Sequence, residues 1–163
     1  MIALSLLPVF EWMEGTPVAQ TIRHSASLIA LLEGIHLIGL TLLVGTILMV
    51  DMSLIGLGIG RSPASHIAKE LRAWTAAGLV IMLSSGPLIL SSEAIRCYKT
   101  PVFWIKMALL GIALIFHFTT HSRVVFEQPP AHGPRARWTA ALSLGLWISV
   151  ALAGKAIALF QPG

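Results

Sequence analysis

Residues 104–118 read WIKMALLGIALIFHF, apolar except for Lys106 near the start and His117 near the end. At about 100° per residue, eleven residues complete close to three helical turns, so Lys106 and His117 share one helix face. Ionisable groups inside a membrane span are costly and tend to turn toward a bundle interior. The face that carries both is therefore expected to look inward, one residue toward each membrane surface. His121 follows His117 by four and extends the stripe to the rim.

The rest of the chain agrees with a membrane reading. Of its 163 residues, 56% are hydrophobic and 11% charged, against about 25% charged in ordinary soluble domains. Mean hydropathy is +0.83. There is too little polar surface to cover a water-soluble globule, so the expected solvent is lipid. Four runs are long enough to cross the bilayer: about 25–54, 71–92, 101–121 and 138–160. At about 1.5 Å per residue each exceeds the roughly 30 Å hydrocarbon core. Short, breaker-rich links separate them, which implies an antiparallel up-down arrangement. The expected fold is all-α: one transmembrane domain over 1–163, an antiparallel four-helix bundle with a short N-terminal interfacial helix. Pro101 opens its helix at the position where proline is best tolerated.

A net charge of +4 without any dense Lys/Arg stripe argues against nucleic acid and fits membrane lipid. Cys97 is the only cysteine, so no intrachain disulfide or thiolate cluster can form. The first residues, MIALSLLPVFEWMEG, lack the basic start and cleavage site of a signal peptide. Arg61, Lys69, Arg72, Arg123, Arg135 and Arg137 flank the first and third links. Arg23, Arg96 and Lys99 flank the opposite side. Six against three places both termini outside, periplasmic in a bacterial inner membrane.

Five ionisable residues fall within the apolar runs: Glu33, His36, Lys106, His117 and Lys155. By helical rise, Glu33, His36, Lys106 and Lys155 form a polar layer about 8–17 Å from the outer face, with His117 deeper, at about 24 Å. Ser84–Pro87, SSGP, lies level with that layer. Gly34, Gly39, Gly45, Gly78, Gly111 and Gly145 are expected to let helices approach closely and would permit a homodimer. Each polar residue also has an ordinary explanation. Lys106 and Lys155 can snorkel, Glu33 can be a counter-ion, and the histidines can hydrogen-bond between helices. Asp51 is expected to pair with a basic loop residue, and His24, His66, His121 and His132 to be solvated.

Neutral imidazole within a helical bundle is a common ligand of haem iron. The residues point to haem b held by His36, with His117 or Lys106 as second ligand and Lys155 and Glu33 completing the pocket. The alternative is a proton or cation path through the same groups. No zinc-protease motif or hydrolytic triad is present.

EGIHLIGLTLLVGTILMVD with TPVFWIKMALL resembles a widespread, uncharacterised family of small bacterial integral-membrane proteins over nearly the whole chain. In the closing ALAGKAIALF that family usually has arginine where this chain has Lys155. A remoter likeness is to the flavin-free, four-helix protoporphyrinogen oxidases of haem biosynthesis. It rests on HLIG at 36–39 and on the spacing of Lys106 and His117. That resemblance implies a haem b and a functional His36–Lys106 pair, with His117 as a structural match. The chain departs from it after the first span, where Asp51 and a glycine run stand, and in RARWTAALS, where the family has Asn-Glu-x-Pro. Three functions are thus open: haem b-dependent redox chemistry near the outer leaflet with a redox partner or quinone; a cofactor-free subunit or small transporter; and a porphyrinogen oxidase. Any enzymatic activity would be that of an oxidoreductase.

Overall fold

The structure is a computed structural model that describes residues 2–57, 62–127 and 133–159. Of the residues named above, Arg61, His132 and Phe160 lie outside them. The described residues are helical with short connections and no strand. The elements are α1 (Ile2–Glu14), α2 (Pro17–Arg23), α3 (Ala26–Leu54), α4 (Ala64–Ser92), α5 (Ala94–Lys99), α6 (Pro101–Phe116), a π-helical turn (His117–His121), α7 (Ser122–Val125) and α8 (Pro134–Leu159). Four helical stretches are long and apolar enough to span a membrane: α3, α4, α6 through α7, and α8. The chain is an all-α membrane protein.

Helix starts follow local chemistry. Thr16 and Ser25 accept hydrogen bonds from the N–H groups of Ala19 and Leu28, capping α2 and α3. Pro17 and Pro101 occupy the first turns of α2 and α6. At the end of α3, Gly56 takes φ +82° and the Leu57 N–H closes on Met52 O at 2.8 Å. This is a left-handed stop that other residues rarely adopt.

Two helices outrun their apolar stretches: α4 begins at Ala64 rather than near 71, and α8 at Pro134 rather than near 138. Hydropathy marks what lipid accepts, whereas backbone hydrogen bonding continues through the polar turns AKE and RAR. The third run likewise continues past His121 to Val125.

Packing is tightest between α3 and α4, then between α6 and α8, with α3 against α8 joining the pairs; α4 and α6 scarcely touch. Close approach rests on two glycines. A Cβ on Gly78 would lie 2.7 Å from Leu43 N, and one on Gly39 would lie 2.6 Å from Ile81 Cγ2. Gly34, Gly45, Gly111 and Gly145 have nothing within 4 Å and mediate no such contact within the chain. Leu43, Ile47, Met82, Ala113, Trp147 and Val150 form the central core. Leu31, Leu37, Ile38, Val80, Ile112, Ile115 and Leu152 are exposed on the outside, as a lipid-facing surface requires.

The N-terminal helices cover one end of the bundle. Phe10 of α1 packs on Tyr98, Phe103 and Trp104. Glu14 Oε2 accepts from the Ile95 N–H at 2.8 Å, satisfying a free donor at the start of α5, and Glu14 also pairs with Arg23. This aromatic cap marks the α5 end; the opposite end carries the links after α3 and α7. Cys97 is buried beneath the cap. Burial, then the Glu93 carboxylate, pushes its thiol pKa up.

Candidate functional site

Polar residues within the bundle form two separate layers, not the single pocket expected. The layer toward the α5 end centres on His36. Its Nδ1 lies 2.8 Å from Ser85 Oγ, and Ser85 Oγ–H donates to Ile81 O at 2.6 Å. With its proton so directed, Ser85 oxygen accepts from His36 Nδ1–H. That assigns the tautomer and leaves Nε2 with its lone pair. Ser85 sits in α4, and Gly86 beside it lies against the ring: a Cβ there would meet His36 Cε1 at an ordinary 3.5 Å.

Lys106 comes from α6 and is half-buried. Its amine lies against α8, where a Cβ on Gly154 would stand 3.5 Å from Nζ. Lys106 makes no ion pair among the described residues. Glu33 and Lys155 do not complete the layer. Both side chains are exposed on the outside of the bundle. Glu33 precedes His36 by three residues, about 60° around the helix, which is enough to turn it from interior to surface.

The second layer lies near the far end. His121 Nε2 donates to Asp51 Oδ1 at 2.7 Å, with both residues buried. His117 stacks on His121 with ring centroids 5.1 Å apart and planes at 21°, and meets the edge of Trp147. The π-helical turn at 117–121 carries both rings; such widened turns are frequent at functional sites. Asp51 Oδ2 and His117 Nδ1 are buried without a hydrogen-bond partner. Thus His121 is not solvated and Asp51 does not pair with a basic loop residue, because the extra turn to Val125 carries the helix past His121 and closes over it.

The two layers cannot share one ion. On α3, His36 and Asp51 are fifteen residues apart (51 − 36). With His117 one turn back from His121, the two imidazoles are separated by about 16 Å along the bundle. Two ligands of one iron must sit about 4 Å apart. Among the described residues no group of three or more His, Cys, Asp or Glu is placed to hold a metal ion.

A cavity of about 490 Å³ opens beside the second layer, between α3, α4, the third span and α8. Leu43, Ile47, Leu79 and Trp147 supply apolar walls, His117 and His121 the interior polar edge, and Lys69 and Arg72 a cationic border. Sequence reasoning missed this cavity and the Asp51–His121 pair. The i, i+4 repeat of His117 and His121 followed by the apolar Val124-Val125 was the available signal.

Comparisons with curated proteins and with solved structures returned no match. A family model covers residues 9–160, which is nearly the whole chain, and the protein belongs to the family of unknown function DUF6644.

Proposed function

We propose that this membrane protein binds haem b for electron transfer or related redox chemistry, with His36 as the axial ligand. The observation that carries the reading is the His36–Ser85 hydrogen bond. Metal-ligating histidines characteristically donate one ring N–H to a fixed acceptor, which orients the ring and presents the other nitrogen. Lys106 supports the same reading. A lysine held inside the bundle without a carboxylate calls for an anion or a metal, so it would take the sixth position or pair with a propionate.

The alternatives fit less well. A proton or cation path needs acidic groups in the layer, and Glu33 is exposed outside it. A purely structural layer would pair its charges. No observation favours a porphyrinogen oxidase over a simpler haem protein. Bound haem would supply a one-electron couple. The chain's own contribution is to hold the ligand imidazole through Ser85, set a positive charge beside it, and exclude water with the aromatic cap. The bias of Lys and Arg puts that end toward the outer leaflet of a bacterial inner membrane. Oxidised and dithionite-reduced visible spectra of the purified protein test the proposal. A Soret band with a sharpened α band on reduction is expected. A folded protein that stays colourless after haem supplementation overturns it.

A further inference from the structure

We propose that the outer faces of α3 and α8 join two copies of this chain side by side in the membrane, with Glu33 of each copy paired to Lys155 of the other. The surface lies on the outside of the bundle, apart from the His36 layer, and does not depend on the haem reading.

The charges come first. Glu33 and Lys155 are both exposed within helices that are long and apolar enough to span the membrane. Neither makes an ion pair among the described residues. A charge that faces lipid is costly and calls for a partner. Lysine has a long stem that can carry its amine toward the surface. The shorter glutamate stands seven residues into α3 (33 − 26), about 10 Å from its start. Nearby cations are already engaged: Arg23 by Glu14, and Arg96 by Glu93. Lys99 belongs to α5, outside the spans.

The two charges also match in depth. The chain runs through α3 away from the cap and returns to it through α8, where Ile157 packs against the cluster of Phe10 and Phe103. Lys155 is four residues before the last described turn of α8 ends (159 − 155), about 6 Å in. Glu33 and Lys155 are thus level to within about 4 Å, a difference that the lysine stem spans. A two-fold axis along the membrane normal leaves every depth unchanged, so it brings Glu33 to Lys155 twice.

The neighbouring side chains supply the rest of the seam. Leu37 follows Glu33 by four, while Leu152 and Ile148 precede Lys155 by three and seven, so each charge shares a helix face with apolar residues. Leu37 is 59% exposed and Leu152 65%. Because α3 and α8 pack beside one another, the two stripes belong to adjacent helices. The occupant follows from complementarity. A second copy supplies both missing partners, each at the depth where it is needed, and opposite charges select the partner and fix the register. Lipid headgroups lie at the surface, about a helix turn or two away.

The full-length protein with a C-terminal fluorescent protein is reconstituted into vesicles of phosphatidylethanolamine and phosphatidylglycerol. Bleaching steps per spot are counted as added lipid dilutes the protein. Two steps are expected at high protein density, giving way to one along a saturable dimerisation curve. Glu33→Lys and Lys155→Glu each set like charges across the seam and should weaken association at least about tenfold. Combining the two exchanges opposite charges and should restore it. Circular dichroism checks that each variant keeps its helices. A second measurement needs no charge reversal: Glu33→Cys and Lys155→Cys chains are mixed and oxidised with copper phenanthroline. A dimer band is expected in the mixture, stronger than in either variant alone and absent from the parent, whose Cys97 is buried. Single bleaching steps at every density overturn the proposal. So does a dimer that neither charge reversal weakens, which joins through another face, or one that the combined exchange does not restore.

Discussion

Replacing Gly78 by alanine should loosen the whole bundle. The added Cβ would lie 2.7 Å from Leu43 N, 2.9 Å from Gly39 O and 3.1 Å from Leu43 Cα. All three are backbone atoms, so no side chain can rotate away. Ordinary contact begins near 3.4 Å, so α3 and α4 must part by about 0.7 Å (3.4 − 2.7). A gap of that size forfeits about a quarter to a half of the dispersion energy across the facing surfaces. This is the most extensive interface in the protein, and in lipid no hydrophobic force compensates for poor packing. The expected loss is about 2–3 kcal/mol. Unfolding by SDS in mixed micelles, followed by circular dichroism and tryptophan fluorescence, measures it. Gly145→Ala is the control, since nothing lies within 4 Å of that position, and it should change stability by less than about 0.5 kcal/mol. Gly39→Ala should fall between, because its nearest contact is the side chain of Ile81. Coincident curves for Gly78→Ala and Gly145→Ala would refute the packing argument.

The same SDS assay addresses the buried pair at the far end. Asp51→Ala strands the His121 Nε2–H and should cost about 2–3 kcal/mol, while an Asp51→Leu/His121→Leu double variant should recover much of that loss. Cys97 should resist maleimide near pH 8 until the protein is unfolded, because a raised thiol pKa leaves less thiolate. For an acid whose folded pKa is raised, the stability tied to the neutral thiol is present at lower pH and is lost as pH climbs past the ordinary thiol range of about 8.5; rapid labelling of folded protein at pH 8 would contradict this burial. At Gly154 an added methyl group meets Lys106 Nζ at an ordinary 3.5 Å. Gly154→Ala should therefore keep any haem spectrum, whereas Gly154→Leu takes the lysine's space and should shift or abolish it.

The fold was legible because it follows from composition. Four long apolar runs separated by short polar links leave few arrangements in lipid, and the cap helices follow from Thr16, Pro17 and Ser25. Helix ends were less legible, since AKE before α4 and RAR in α8 are polar but helix-competent. Within the candidate site, the depths expected for His36 and Lys106 follow from helical rise. Facing could not be read so well: Glu33 turns outward at only about 60° from His36, an angle smaller than a pattern of apolar residues resolves when every side of the helix is apolar. His121 and Asp51 were misplaced at the rim for a different reason. Their burial depends on a helix extension and on a contact between residues 70 positions apart, which no local pattern encodes.

The most direct measurement compares haem content in two single variants, His36→Ala and His117→Ala, purified alongside the parent protein and quantified from reduced pyridine spectra. The account predicts haem in the parent, none in His36→Ala with the helical fold retained, and an undiminished amount in His117→Ala. Haem retained in His36→Ala but lost in His117→Ala would contradict it and move the cofactor to the far-end cavity.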